Sequence, residues 1–263
     1  MKIVVTVKQV PDTNAEKSFD PATKRLNRSR IDNVLNPFDE YAIEEALRLK
    51  ESVGGDSTVT ILTMAPQSGV DIVRKALGMG ADNAAMLSDP AVGGSDTMAT
   101  AYLLAQALKQ IGFDLILSGT QSTDAINSIV PAAVAEHLGI PCLTYARKVS
   151  LHDGSIEVQR DTESGYWRVL APLPALVSVS KGINEPRYPT LKGIMGAKKK
   201  EIKALTLAEL GADSARIGDN GSKTTVDGYT AVGTRSKGTV IQTDDAHEGA
   251  QKIVEFLISK KLI

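Results

Sequence analysis

Strand-like and helix-like patterns alternate along the first half of this chain, and this alternation limits the fold more than any other feature. Short apolar runs of strand length occupy residues 3–8, 58–63, 83–87 and 113–117, and an amphipathic helical pattern follows each run. Parallel strands need a long crossover, which is usually a helix. The sequence therefore predicts an α/β fold, with a mostly parallel, twisted, Rossmann-like sheet flanked by helices and right-handed crossovers.

The pattern changes after Pro141. Short strand-like runs then follow one another closely, with turn residues at Asp153-Gly154 and Ser164-Gly165. These runs cover residues 144–151, 156–160, 166–170 and 175–180. Such spacing predicts antiparallel additions to the sheet.

The last part of the chain carries weaker signals. Residues 181–204 lack periodicity, and residues 211–239 are rich in Gly, Ser, Thr and Asp, so they need not be ordered alone. An amphipathic helix is predicted over residues 246–260. We divide the chain into an α/β domain, residues 1–204, and a C-terminal arm, residues 205–263. The arm could reach over a partner or fold back on its own body.

Composition argues against several classes of protein. The 263 residues include 30 Lys and Arg and 31 Asp and Glu, and a net charge of −1 gives no case for nucleic acid as a partner. No run of about 18 apolar residues is present to insert into a membrane. Met1 leads directly into a strand-like run, unlike a signal peptide, and the single cysteine excludes an intrachain disulfide. We therefore expect a cytoplasmic protein.

Catalytic motifs are missing from the sequence. It has no Gly-x-Ser-x-Gly elbow, no P-loop and no metal-ligand spacing among its three histidines. The acidic pair Glu44-Glu45 is interpreted as a solvated helix face. Gly78-Met79-Gly80 follows a helical pattern, so it is predicted to be a C-cap rather than part of a dinucleotide fingerprint. These features indicate a protein that binds rather than an enzyme.

A polar segment between Gly119 and Val130 is the strongest candidate site. It follows a strand and precedes a helical pattern, which is where open α/β sheets bind ligands and where a helix N-terminus suits a phosphate. The alternative is that its polar side chains only cap the helix. The residues in question are Ser122, Thr123 and Asp124. The sequence alone leaves both interpretations open.

An earlier helix start is marked by the run from Asn36 to Glu40. Asn36 suits the N-cap, Pro37 suits the first helical position, and the acidic Asp39 and Glu40 complement the helix dipole. The helix is predicted to end at Gly54.

Four motifs resemble those of the electron transfer flavoprotein beta subunit. They are Val7-Lys8-Gln9-Val10-Pro11, Asn36-Pro37-Phe38-Asp39-Glu40-Tyr41-Ala42, Ala76-Leu77-Gly78-Met79-Gly80-Ala81-Asp82, and Asn184-Glu185-Pro186-Arg187-Tyr188 with the following run to Lys198-Lys199-Lys200. The resemblance runs in order from residue 1 to about residue 210. Within the family, the sequence is most similar to those of actinobacterial members that bind AMP.

The resemblance implies an electron carrier rather than an enzyme. The family works as an alpha–beta heterodimer whose FAD is held mainly by the alpha subunit, while the nucleotide-binding domain of the beta subunit holds a structural AMP. The heterodimer accepts electrons from acyl-CoA dehydrogenases and related flavin dehydrogenases, and passes them to a membrane quinone oxidoreductase. Residues 205–263 would contact the alpha subunit.

The same resemblance implies roles for particular residues. Leu191, with Arg187 and Lys192, would dock on dehydrogenases within the loop 184–200, and Asp161 would restrain the flavin domain at a position where Glu is frequent. Phe38 would lie near the flavin. The implied cofactor contacts are Thr6, Asn36, Pro37, Phe38, Asp39, Met64, Gly119, Thr120, Gln121, Ser122, Thr123, Asp124, Asn127, Ser128, Ile129 and Val130.

Two alternatives remain at this stage. Electron-bifurcating members of the family hold a second FAD beside a loop that reads Asp-Gly-Asp-Thr-Ala-Gln-Val-Gly, whereas this chain has a different sequence over residues 122–130. That difference favours AMP. The other alternative is a nucleotide-dependent enzyme or a nucleotide sensor on the same fold.

Overall fold

The structure, a computed structural model, describes residues 1–28, 31–230 and 238–263. The chain divides into two units, Met1–Asp227 and Gly228–Ile263. The first unit therefore extends beyond residue 204, where the sequence suggested a boundary. That residues 205–263 act as an arm on a partner stays a prediction.

A mostly parallel sheet organises the first unit. The strands of the described residues are β1 (Lys2–Val7), β2 (Gln9–Pro11), β3 (Asn33–Leu35), β4 (Thr58–Met64), β5 (Asn83–Leu87), β6 (Leu115–Gly119), β7 (Cys142–His152), β8 (Ser155–Thr162), β9 (Gly165–Pro172), β10 (Ala175–Val179) and β11 (Ile202–Leu205). All except β2 and β3 form one sheet in the order β11-β5-β4-β1-β6-β10-β7-β8-β9. Only the β7–β8 and β8–β9 pairs of that sheet are antiparallel among the described strands, so the predicted fold class is confirmed.

Helices of the first unit cover both faces of this sheet. The helices of the first unit, among the described residues, are α1 (Pro37–Val53), α2 (Val70–Met79), α3 (Thr97–Ile111), α4 (Val130–Leu138), α5 (Leu191–Lys199) and the four-residue α6 (Gly218–Gly221). The second unit contains α7 (Ala246–Ser259). Gly80 caps the end of α2 with a φ of 133°, a conformation that residues with a side chain rarely adopt. The predicted C-cap is therefore confirmed, although Gly78 lies inside the helix.

The direction of strand addition reverses at β1. From β1 the chain moves outwards to β4 and β5, and then returns to place β6 on the other side of β1. Thr6 of β1 lies level with Leu62 of β4 and with Ser118 of β6. Such a reversal leaves a crevice beyond the carboxyl ends of the strands. The segments that follow β1, β4 and β6 consequently meet at one place.

The parallel strands are apolar on both faces because both faces are covered. Ile3 and Val5 pack with α1 and α2, while Val4 packs with α3 and α4. Burying an aliphatic side chain of this size contributes roughly 1.5–3 kcal/mol. This explains why these strands read as continuous apolar runs rather than as alternating patterns.

Residues 181–204 are more regular than predicted. They contain α5, whose N-cap Thr190 accepts a hydrogen bond from the Gly193 amide at 3.0 Å, and β11, which pairs in parallel with β5. Gly193 and Gly196 weaken the helical pattern of α5, and β11 has only four residues, so neither element gave a clear periodic signal. The prediction of an aperiodic segment is wrong for these two elements.

The acidic pair on α1 is buried, not solvated as predicted. Glu44 is 3% exposed and its carboxylate lies 2.7 Å from Arg48 Nε and from Arg187 Nε. Glu45 Oε2 accepts a hydrogen bond from Asn184 Nδ2 at 3.0 Å. Two of these partners come from a segment more than 130 residues away, so the local helical pattern could not reveal them.

In the second unit, α7 begins after Asp245, whose side chain accepts a hydrogen bond from the His247 amide at 2.8 Å. The helix predicted over residues 246–260 is confirmed. Several of its apolar side chains are exposed: Ile253, Val254, Phe256 and Ile258.

Residues 231–237, which belong to the segment 211–239 that was predicted not to need order of its own, lie outside the described residues. Within the described ranges, no helix combines the length and the apolar character needed to cross a membrane.

Candidate functional site

A cleft of about 440 Å³ opens beyond the carboxyl ends of β1, β4 and β6. Small-molecule sites typically measure roughly 300–1,000 Å³. The structure brings together most of the cofactor residues named from the sequence. Those that line the cleft are Thr6, Asn36, Asp39, Met64, Gly119, Thr120, Gln121, Ser122, Asn127, Ser128 and Val130. Four separate sequence segments thus surround one space.

The carboxylate of Asp39 links the start of α1 to the end of β1 through hydrogen bonds. The Lys8 amide donates to Oδ2 at 2.7 Å and Asn36 Nδ2 donates to Oδ1 at 2.9 Å. Gly119 lies so close to Asp39 and Phe38 that no Cβ would fit there. Burial raises the pKa of Asp39 to about 7, against the opposing effect of these hydrogen bonds.

Asn36 occupies the N-cap position and Pro37 the first helical position, as predicted. The Asn36 side chain nevertheless makes no capping hydrogen bond, and that part of the prediction is wrong. Its Nδ2 donates to the Gln121 carbonyl at 2.9 Å and its Oδ1 accepts from the Thr123 amide at 3.3 Å. Asn36 therefore ties the start of α1 to the polar loop after β6.

Helix α4 begins at Val130, and Ile129 at the N-cap position makes no side-chain capping hydrogen bond. Of the polar loop after β6, Asn127 is the residue whose side chain reaches this helix start, where its Oδ1 accepts from the Ile129 amide at 3.2 Å. The capping alternative is therefore wrong for Ser122, Thr123 and Asp124.

The backbone of this loop is shaped to receive an anion. Ile126 and Ser128 have φ values of 52° and 54°, which are uncommon for residues other than glycine. Left-handed residues next to right-handed ones turn successive N–H groups towards one side and form an anion-binding concavity. Ser128 is held there by a 3.1 Å hydrogen bond from its Oγ to Gln121 Oε1. The N-terminus of α4 adds further N–H donors, although Pro131 in its first turn has none.

Two basic side chains, Lys8 and Arg28, also line the cleft. Neither was predicted from the sequence as a site residue. Lys8 Nζ lies 2.7 Å from Asp124 Oδ1, and Arg28 donates to Asp124 Oδ2. The Asp124 side chain is only 1% exposed. Burial acts to raise its pKa, but the charge of Lys8 and hydrogen bonds from Lys8, Arg28 and Ser122 outweigh burial and lower that pKa to about 2. Two cations thus share one carboxylate, and the cluster keeps a net positive charge.

Of these two cations, only Lys8 has a position in the sequence from which a place at the cleft could have been predicted. Lys8 directly follows β1, at the same sheet edge as the predicted polar loop. Arg28 belongs to an irregular segment with no pattern that points to the cleft.

Residues 23–210 match the family model of the electron transfer flavoprotein domain. The chain is 43% identical over 265 residues to the electron transfer flavoprotein subunit beta of Mycobacterium tuberculosis, an alignment that covers 99% of each protein. The chain belongs to the electron transfer flavoprotein subunit beta family. It is also 42% identical to the subunit beta of Megasphaera elsdenii and 36% identical to the caffeyl-CoA reductase-Etf complex subunit CarD of Acetobacterium woodii, with 100% of each chain covered in both alignments.

Family membership confirms the resemblance seen in the sequence, but the predicted cofactor contacts stay predictions. Some of those residues lie on the same segments without lining the cleft: Pro37, Phe38, Thr123, Asp124 and Ile129. Phe38, which the resemblance places near the flavin, is half-buried in the first turn of α1.

The residues predicted to serve partners lie on elements towards opposite edges of the sheet. Asp161 belongs to β8, beside the edge strand β9, and lies 3.5 Å from Arg147 Nη1. Leu191 is the first residue of α5, which packs on α2, and it is 76% exposed. Lys192 is also exposed, whereas Arg187 is paired with Glu44 and Glu51. Direct docking roles for these residues stay predictions.

Proposed function

We propose that this chain is the beta subunit of a heterodimeric electron transfer flavoprotein. The heterodimer takes electrons from acyl-CoA dehydrogenases and related flavin dehydrogenases, including those of fatty acid β-oxidation, and delivers them to a membrane quinone oxidoreductase. One observation carries this proposal: in a chain that belongs to this family, the four predicted nucleotide-binding segments surround one cleft.

AMP is the proposed occupant of this cleft, in a structural role. The loop with Ile126 and Ser128, the N-terminus of α4 and the nearby positive cluster would hold the phosphate. An apolar wall would face the adenine, and it consists of Met64, Leu104, Val130 and Pro131. The size of the cleft supports a mononucleotide better than FAD, which carries a second nucleotide-sized half.

The redox chemistry of the heterodimer is supplied by FAD, held mainly by the alpha subunit. This chain would contribute Phe38 near the flavin and Asp161 as a restraint on the flavin domain. Its exposed docking residue would be Leu191, because a large aliphatic side chain in solvent is typical of an anchor that fills a pocket on a partner.

The alpha subunit would cover the exposed apolar side chains of α7, such as Phe256 and Ile258. We expect the isolated chain to aggregate or to remain partly disordered, and co-expression with an alpha subunit to rescue it. A well-behaved monomer whose α7 amides are strongly protected in hydrogen exchange would count against this arrangement.

A bifurcating type with a second FAD in the cleft is the second candidate. It is favoured by the 36% identity to a subunit of the caffeyl-CoA reductase-Etf complex. It is disfavoured by the small cleft and by the loop sequence at residues 122–130.

The carrier function is tested by reduction of the purified heterodimer. We expect yellow protein whose visible flavin absorbance bleaches when an acyl-CoA dehydrogenase and its acyl-CoA substrate are added. A nucleotide-dependent enzyme or sensor would instead hydrolyse or exchange ATP, and its flavin spectrum would not respond.

A further inference from the structure

The docking segment, residues 184–200, is exposed in the middle and attached to the body at both ends. Tyr188 is 92% exposed and Leu191 76% exposed, whereas Asn184 and Ala197 are buried. A segment that presents large apolar side chains to solvent gains little from its own packing. Its conformation must therefore depend on the attachments at its ends.

Arg187 makes the first attachment, to α1. Its Nε lies 2.7 Å from Glu44 Oε2 and its Nη1 lies 2.6 Å from Glu51 Oε1. Its backbone amide also donates to Glu44 Oε2 at 3.2 Å. Glu44 is shared with Arg48, so two guanidinium groups and two carboxylates form one network. The charge of Arg187 is compensated here, which leaves little of it to attract an acidic partner.

Arg74 makes the second attachment, from α2. Its Nη1 donates to the carbonyl oxygens of Ala197 and Lys200, at the C-terminal end of α5. The Ala197 carbonyl also accepts from the Lys200 amide, in a long bond of 3.3 Å, so Arg74 adds a charged donor where the helix end has only a weak one. A cation at a helix C-terminus also complements the helix dipole. Between the two attachments, Gly193 lies against the Gly78 carbonyl so closely that a Cβ would not fit.

We infer that Arg187 and Arg74 are positioning residues that hold α5 as a preformed docking helix, rather than residues that contact the dehydrogenase. This inference rests on the proposed docking through Leu191. A helix of nine residues is too short to be stable alone in water. Without the attachments, the segment would have to become ordered each time the dehydrogenase binds. The conformational entropy lost in that ordering would reduce the binding free energy of an interface that is already small and transient.

The test uses the assembled heterodimer with Arg187→Met and Arg74→Met. Two readouts are needed: hydrogen exchange of the amides of residues 191–199, and steady-state reduction by an acyl-CoA dehydrogenase with its acyl-CoA substrate. We expect faster exchange and an apparent KM for the heterodimer that rises roughly five- to thirtyfold, with kcat unchanged. Arg168→Met is the matched control, because Arg168 also makes a bidentate pair, with Glu157 on the sheet extension. It should change neither readout.

Two further variants separate the positioning role of Arg187 from a general loss of assembly. If Arg187→Met assembles poorly because Glu44 loses a partner, the double variant Arg187→Met/Glu44→Gln removes the buried charge as well. Arg187→Lys should rescue KM only in part, since one ammonium cannot match the fork that binds two carboxylates.

Leu191→Ala separates this inference from the docking proposal. An unchanged KM in both arginine variants, with a raised KM in Leu191→Ala, would overturn the positioning role and leave docking intact. An unchanged KM in Leu191→Ala would overturn docking itself, and the positioning role with it.

Discussion

Lys8 Nζ lies 2.7 Å from Asp124 Oδ1, so the residue that follows the first strand is bound to the loop that follows β6. Arg28 reaches the other oxygen of the same carboxylate. The ion pair joins segments more than 100 residues apart at the mouth of the cleft. It both shapes the loop and keeps positive charge beside the proposed phosphate position.

Asp124→Asn should destabilise the assembled protein by roughly 2 kcal/mol at pH 7, because the pKa of Asp124 is lowered to about 2. A lowered pKa stabilises the fold above the usual carboxyl range, and that contribution is lost as the pH falls from about 4 towards 2. Thermal melts of wild type and variant across this range measure it, while the visible flavin spectrum should stay normal. Glu157→Gln, which removes an exposed pair with Arg168, is the control and should change stability little.

Asp39→Asn should change the pH dependence of stability in the opposite sense. Burial raises the pKa of Asp39 to about 7, so the folded protein holds a proton that the unfolded chain releases near pH 4. The free energy of unfolding of wild type therefore falls as pH rises between about 4 and 7, by up to ~1.4 kcal/mol per pH unit from this group. The variant should lack that contribution. Parallel stability profiles for the two proteins would show that Asp39 does not titrate in this range.

Leu191→Ala should weaken reduction by dehydrogenases by roughly 1–3 kcal/mol in kcat/KM, the usual cost of truncating an anchor residue. FAD content, heterodimer assembly and reduction by dithionite should not change. Leu170→Ala is the matched control, because Leu170 is also a largely exposed leucine but lies on β9. Rates that are unchanged with two different dehydrogenases would leave Leu191 without a docking role.

Gly193→Ala should displace α5 from α2, because its methyl group would meet the Gly78 carbonyl. We expect the variant to lose roughly 1–3 kcal/mol of stability and to exchange the α5 amides faster. Gly196→Ala lies in the same helix with open space around it, and should be neutral or stabilising by up to about 1 kcal/mol. Equal effects of the two changes would contradict the close helix contact.

Local periodicity was enough to predict the sheet and the position of the cleft. The strand runs of β1, β4 and β6 are apolar and bounded by glycine or polar residues, so their carboxyl ends predicted where the cleft lies. The same patterns predicted the antiparallel β7–β9 extension from its turn residues. The prediction of an antiparallel addition is wrong for residues 175–180, because β10 lies inside the sheet and pairs in parallel with both β6 and β7.

What the sequence could not give were interactions between distant segments. From its local sequence, Glu44 is expected on a solvated helix face, but in the structure it is paired with Arg187. Asn36 is likewise expected to cap a helix, but its side chain binds the Gln121 carbonyl instead. Arg28 reaches Asp124 from a segment without periodicity. In each case the deciding partner lies more than 80 residues away, where no local rule applies.

The nucleotides released from the native heterodimer test the central claim most directly. The purified complex is denatured, and its nucleotides are separated and counted by mass spectrometry against protein. One FAD and one AMP per heterodimer is the predicted result, with AMP retained from the cleft of this chain. Two FAD and no AMP per heterodimer would contradict the account and identify the cleft as a second flavin site.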